Sequence, residues 1–381
     1  MTKIFSILII LFLFISNLNS APSLNVKSGI VIDYNSDKIL YEKDPDTHIY
    51  PASMTKIMTS IIAFDLLKQG KLNLDDETVI SENAWRLSQR GFSSMFIMIN
   101  DTVTIEDLLR GIIVVSGNDA CVALAEAIAG SEENFSDLMN EKAKEIGLTN
   151  TNFSNSSGIN DPQNYSTVRD IALMSKYLIK NYPKYYEYFK ETEFTWDRTG
   201  GEPITQGNRN PLLYKRIGAD GIKTGYLDSE KYSLAASVVG DERRIISVIS
   251  GFSTKKDRSN DSFKIITWAL RNTNTYKIAL ANESKFIFDV WLGKKTEVAG
   301  YVKEDLYITI NKNELKDLRV SLNYAGPIKA PVSKDQEIGI LKIETKNDKL
   351  EIPVYSSEKI KKVNFIKSLF TSFNYMIWGD V

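Results

Sequence analysis

A single histidine, His48, and a single cysteine, Cys121, occur in this chain of 381 residues, and each scarcity removes a class of site. A serine activated by histidine, the usual arrangement, would have to rely on His48, which lies in a polar stretch five residues before Ser53. A zinc-type centre needs several histidine, aspartate or cysteine ligands, and one histidine leaves that set short; no metal or cofactor is expected. One cysteine closes no internal disulfide, so it says little about compartment. Charge of either sign is in no excess, with 47 Lys and Arg against 48 Asp and Glu. Without a long basic run, nucleic acid is not the expected partner. No solenoid-type repeat is present. "GIKTG" is no phosphate loop, because Ile222 stands where glycine must precede the lysine.

What is present begins with "MTKIFSILIILFLFISNLNSA": Lys3, an apolar run from Ile4 to Ile15, then a polar stretch ending in small Ser20 and Ala21. This reads as a secretory signal peptide over residues 1–20, too short for a spanning helix, and the remainder is expected to be exported. "SGIVIDY" and "KILYEK" flank the turn residues Asn35-Ser36-Asp37 as a hairpin. A helix follows Pro51, with Ile57, Ile61, Ile62 and Leu66 on one face, ending near Gly70. "TIEDLLRGIIVVS" and "NDACVALAEAIAG" are two apolar helices broken at Gly117, with Thr104 and Asp107 as a start signal for the first. Cys121, inside the second, is expected to be a buried packing residue.

Strand signals return in "ADGIKTG", "YSLAASVVG" and "RRIISVISGF", with a turn at Gly240-Asp241-Glu242, and a helix runs from Asp257 to about Asn272. Strands at both ends with helices between predict an α+β domain over 21–275 whose antiparallel sheet pairs N- and C-terminal segments. Short alternating strands then predict a small all-β domain over 276–358. The end of the chain, 359–381, reads as an amphipathic cationic helix, with Ile360, Val363, Ile366, Phe370, Phe373 and Ile377 recurring at three and four.

"PASMTKIMTS" places Ser53 and Lys56 three apart at a helix start, so the two side chains share a face. A sheltered lysine can lose its proton near neutral pH, and a neutral amine is a competent base. Alone the spacing is weak. It is joined by Ser116-Gly117-Asn118 at the break between two helices and by Lys223-Thr224-Gly225 on a late strand. Serine-x-x-lysine, serine-aspartate-asparagine and lysine-threonine-glycine form one trio in penicillin-binding proteins and class A β-lactamases; here the middle motif reads serine-glycine-asparagine. In such a trio Ser116 can shuttle a proton to the leaving group and Asn118 can bond the substrate backbone. Lys223 keeps positive potential over the site, Thr224 meets a carboxylate, and Gly225 lets an extended substrate approach.

The chain resembles the low-molecular-mass penicillin-binding proteins that act as serine D-alanyl-D-alanine carboxypeptidases. The resemblance extends through "YPASMTKIMT", "RGFSSMF", "VSGNDACVALAEAIAGS", "NRNPLLY" and "GADGIKTGYLDSEKYSLAASV". It implies a β-lactamase/transpeptidase-like fold, a peptidoglycan pentapeptide substrate, acylation of Ser53 by β-lactams, and an oxyanion hole of the Ser53 and Tyr226 N–H groups. It also implies that Arg258 helps to hold the terminal carboxylate. One departure is Leu227, where the family often has threonine, which puts a hydroxyl contact to substrate there in doubt.

Two alternatives stay open: a β-lactamase-like hydrolase of the same fold, and a binding protein that recognises peptidoglycan peptides without turnover. The first requires a deacylating glutamate, for which Glu202 in "GGEP" is the weak candidate; the second has no need of Ser53. The expected location is the periplasmic face of the bacterial inner membrane, with the terminal helix lying on an anionic surface.

Overall fold

The computed structural model describes residues 21–159, 161–197, 201–240, 242–346 and 348–378. The signal-peptide expectation and the turn residue Asp241 lie outside them. The chain divides into two units, Met1–Arg271 and Asn272–Val381.

In the first unit the strands β1 (Ser28–Asp33), β2 (Ile39–Lys43), β3 (Ala219–Leu227), β4 (Lys231–Gly240) and β5 (Arg243–Phe252) form one sheet. Their order is β2-β1-β5-β4-β3, every pair antiparallel. The N-terminal hairpin therefore closes on the C-terminal meander, and β3 is left at the edge. Alternation along the strands buries both faces. Ile30, Ile32, Ile246 and Val248 join the larger core, and Val31, Ile245 and Ile249 the smaller one.

The larger core is built on helices α1 (Lys56–Lys68), α2 (Asn118–Ala129), α3 (Glu132–Ile146) and α4 (Val168–Asn181). The smaller lies under α5 (Lys255–Asn272), through Ile265, Ile266 and Ala269. Ser131 and Thr167 cap α3 and α4 by accepting the N–H groups of Asn134 and Asp170, and Thr104 caps the helix Ile105–Arg110 the same way. The sequence reading gives α1 one apolar face. Instead Lys56 to Phe64 is buried without interruption, because this helix runs through the middle of the unit.

The second unit holds a six-stranded sheet of β7 (Phe286–Trp291), β8 (Glu297–Tyr301), β10 (Arg319–Asn323), β11 (Ile328–Lys329), β12 (Glu337–Glu344) and β13 (Lys349–Ser356). The order is β10-β12-β13-β8-β7-β11. A two-stranded ladder pairs β6 (Thr273–Ala279) with β9 (Leu306–Asn311). The unit has its own core around Phe288, Leu341, Ile343 and Val354.

The terminal helix α6 is Phe365–Trp378, shorter than the 359–378 read from periodicity. Ile360 is 2 % exposed and bridges Val332 in antiparallel fashion, while Lys362 bridges Gly293, so this stretch belongs to the β unit. Asn364 ends it by accepting the N–H of Lys367 at 2.9 Å.

Candidate active site

Pro51 leads into a 3₁₀ turn, Ala52–Thr55, that runs directly into α1. Side chains three apart eclipse in such a turn, which is why Ser53 and Lys56 meet. The turn is wedged between two glycines. A Cβ at Gly225 would stand 2.9 Å from the Pro51 carbonyl oxygen, and one at Gly158 would overlap the Ala52 carbonyl. Gly225 thus has a structural reason to lack a side chain: it lets β3 close on the turn that carries Ser53.

Lys56 is 1 % exposed. Its Nζ lies 2.6 Å from Asn118 Oδ1, 2.6 Å from the Ser157 carbonyl oxygen and 3.3 Å from Ser53 Oγ. Two of these partners only accept. A neutral amine has two N–H bonds and one lone pair, so donation to both carbonyls leaves the lone pair for the Ser53 hydroxyl proton. Burial pushes the Lys56 amine below the ordinary lysine range; the nearby Arg209 charge lowers it further, and the acidic groups Cys121, Asp119 and Glu132 oppose this.

Ser116 sits at the break foreseen in the sequence, where a π-helical turn over Gly111–Val115 ends on its left-handed backbone (φ 67°). Gly117 and Asn118 then open α2, and the Asn118 N–H donates to the Ser93 carbonyl at 2.8 Å. Behind them Asp119, fully buried, collects the Ser94 hydroxyl at 2.6 Å and the N–H groups of Met95 and Phe96, each at 2.9 Å. Loop 91–97 is pinned to the start of α2 by this carboxylate. A Cβ at Gly117 would stand 2.9 Å from Asp119 Oδ1 and 3.0 Å from the Met95 nitrogen, so the middle residue of the serine-x-asparagine triplet has no room for a side chain.

On β3, Lys223 is 3 % exposed and Thr224 is buried. Burial, and then the charges of Lys56 and Arg209, hold the Lys223 amine well below its usual range. Arg258, on α5, stacks over the Tyr232 ring at 5.6 Å, and burial lowers its guanidinium to about 10. Its Nε is buried without a hydrogen-bond partner among the described residues. A cleft of about 880 Å³ is lined by Ser53, Ser116, Asn118, Thr224, Gly225, Tyr226 and Arg258, with Leu227 and Arg209 at its wall. The serines, asparagine, threonine, glycine, tyrosine and arginine assigned catalytic or substrate roles from the sequence therefore line this cleft, and Lys56 and Lys223 lie buried within the same charge cluster, whereas Glu202 is not part of the lining. His48 is elsewhere, stacked on Tyr165 with ring centroids 4.7 Å apart.

Residues 16–254 match the family model described as D-alanyl-D-alanine carboxypeptidase, and residues 274–362 that of the penicillin-binding protein 5 C-terminal domain. The chain belongs to the D-alanyl-D-alanine carboxypeptidase family. It is 38% identical to the D-alanyl-D-alanine carboxypeptidase DacC of Escherichia coli (strain K12) over 91% of this chain and 86% of that protein. It is 35% identical to DacF of Bacillus subtilis (strain 168), over 90% and 88%. The crystal structure of penicillin binding protein 5 from Haemophilus influenzae superposes with a TM-score of 0.81 at 36% identity, covering 90% of this chain and 99% of that one.

Four contributors to this carboxypeptidase site carry no role in the sequence reading: the Ser157 carbonyl, Gly158, Asp119 and Arg209. "RGFSSMF" and "NRNPLLY" mark the family there, yet the residue type says nothing of what each does. Arg209 donates to the Ser93 hydroxyl and so ties the two segments together across the cleft mouth. Cys121 is buried in α2 as expected, its thiol pushed up to about 12 chiefly by burial, which keeps it an unreactive packing group.

Proposed function

We propose that Ser53 is the acyl-ester nucleophile of a D-alanyl-D-alanine carboxypeptidase that trims peptidoglycan pentapeptides, with Lys56 as its general base. The observation that carries this reading is the set of three partners around Lys56 Nζ. Lys56 takes the proton as Ser53 Oγ forms its bond to the carbonyl carbon of the penultimate D-alanine. The developing oxyanion is met by the Ser53 and Tyr226 N–H groups. Ser116 passes a proton to the amine of the leaving D-alanine as the peptide bond breaks. Water then attacks the ester, and Ser53 recovers its proton. Asn118 orients Lys56 and the substrate backbone, Lys223 keeps positive potential over the site, and Thr224 and Arg258 receive the terminal carboxylate. Leu227 offers no hydroxyl for that task, which leaves it to Thr224 and Arg258.

Among the described residues no carboxylate hydrogen-bonds to Ser53, whose side-chain partner is Lys56. Glu202 is exposed and outside the cleft lining, and Glu132 is engaged by the Ser156 hydroxyl and N–H. This favours slow loss of a penicilloyl adduct, against the β-lactamase alternative. Release of D-alanine from a pentapeptide, together with an adduct that persists over many turnovers, is the expected result. Rapid hydrolysis of penicillin without peptide turnover would reverse the assignment.

Arg258→Ala should lower kcat/KM for pentapeptide by about ten- to a hundredfold, the value of a charged hydrogen bond. Acylation by a β-lactam should fall less, and equal losses would remove the carboxylate role.

We further propose that α6 anchors the protein on the outer face of the inner membrane. Phe365, Ile366, Leu369, Phe370, Phe373, Met376 and Ile377 are all exposed, Phe365 at 78 %, so the helix does not pack as core. Each gains about 1.5–3 kcal/mol on full burial, and Lys359, Lys361, Lys362 and Lys367 favour anionic lipid. Among the described residues no helix is long and apolar enough to cross a membrane. A chain ending at Val363 should stay soluble, bind penicillin and ignore anionic vesicles. Ending it at Ser357 should also destabilise the β unit, because Ile360 is removed from its core. Vesicle binding that survives the loss of α6 would dispose of the anchor.

A further inference from the structure

The cleft has an electrostatic gradient that the reaction itself does not require. Arg209, Lys255 and Arg258 line it, and Asp228 is the single acidic side chain among its described lining residues. Asp228 follows directly on the edge strand β3, accepts the Tyr226 hydroxyl at 2.6 Å, and forms no ion pair with any described residue. Tyr226 in turn lies against Tyr232, ring centroids 4.6 Å apart. A carboxylate held beside aromatic rings is the arrangement that receives a cationic amine.

The reading proposed above fixes which part of a substrate reaches it. With the terminal carboxylate at Thr224 and Arg258 and the scissile carbonyl at Tyr226, the peptide runs along the open edge of β3 with its N-terminal side directed past Leu227. A paired strand advances about 3.4 Å per residue. The residue preceding the penultimate alanine therefore lies opposite 227–228, within side-chain reach of Asp228. We infer that Asp228 is a specificity residue for the free side-chain amine of a diamino acid at that position, and that the enzyme favours stems whose amine is not yet acylated in a cross-link. This inference rests on the carboxypeptidase reading.

The test uses the full-length protein and three pentapeptides that differ only at the third residue: L-lysine, meso-diaminopimelate and Nε-acetyl-L-lysine. Active sites are counted in every preparation by stoichiometric penicillin labelling, so misfolded protein does not enter the rates. Wild type should release D-alanine from the two free-amine peptides with kcat/KM about three- to tenfold above the acetylated one, the range for an exposed pair aided by an aromatic face. The ratio should shrink with added salt. Asp228→Asn should bring it close to one, and Asp228→Lys should take it below one. A wild-type ratio of one, or a ratio unchanged in Asp228→Asn, overturns the inference while leaving the carboxypeptidase standing. A preference for lysine alone points to a size filter and likewise overturns it. No D-alanine from any of the three peptides overturns the activity and the inference together.

Discussion

Lys56→Arg is expected to slow acylation of Ser53 by about two to four orders of magnitude, the usual contribution of a general base. The substitution keeps the positive charge, so it separates base catalysis from simple electrostatic attraction. Arginine stays protonated at working pH and has no lone pair to offer. The pH profile supplies the sign. Burial lowers the Lys56 amine, so its neutral fraction, and with it the acylation rate, should climb with pH below the ordinary lysine range. Stopped-flow acylation by a chromogenic β-lactam should show the rising limb in wild type and lack it in Lys56→Arg. A thermal melt of the same protein checks that the larger guanidinium is accommodated. An arginine variant that acylates at near-normal rate with the limb intact would mean that Lys56 is not the base.

Gly158→Ala should be the most damaging substitution of a residue that takes no part in the chemistry through a side chain. Gly158 has φ 77°, a conformation that strains an L side chain, and its Cβ would overlap the Ala52 carbonyl inside the Ser53 turn. Left-handed strain of about 1–2 kcal/mol and overpacking of about 1–3 kcal/mol together predict about 2–5 kcal/mol. At about 2–4 °C per kcal/mol for a unit of this size, the melting temperature should fall by roughly 4–20 °C. Whatever protein remains folded should acylate about a hundredfold more slowly, because a shift of about 1 Å in the nucleophile costs that much. Differential scanning fluorimetry and acylation kinetics read the two effects separately. A melting temperature and rate like those of wild type would show that the turn has slack and that Gly158 does not position it.

These two residues also mark the limit of what the sequence discloses. Ser53 with Lys56, Ser116 with Asn118, and Lys223 with Thr224 were legible because each chemistry needs a residue type at a fixed spacing. Gly158 and the Ser157 carbonyl were not. They act through backbone atoms of an irregular loop about a hundred residues from Ser53, and nothing in "SSGIN" announces where that loop lands. Asp119 is hidden for a related reason: besides the Ser94 hydroxyl, its partners are N–H groups of loop 91–97, which carry no residue identity. In the fold, the meander and the hairpin were readable from alternation and turns. The strand Thr273–Ala279 is absent from the sequence reading, since "TNTYKIA" is mostly polar and gains its strand from pairing with Leu306–Asn311. The end of the chain misled in the opposite direction. Ile360 and Val363 continue the helical spacing of α6 by coincidence, although Ile360 is anchored in the β unit by its bridge to Val332.

Acylation of Ser53 is the step from which every other role in the cleft follows, and locating the covalent adduct tests it most directly. Full-length protein treated with benzylpenicillin, digested and analysed by tandem mass spectrometry should carry a single penicilloyl group on Ser53. Ser53→Ala should carry none. An adduct on Ser116 or any other residue, or labelling that persists in Ser53→Ala, would contradict the account.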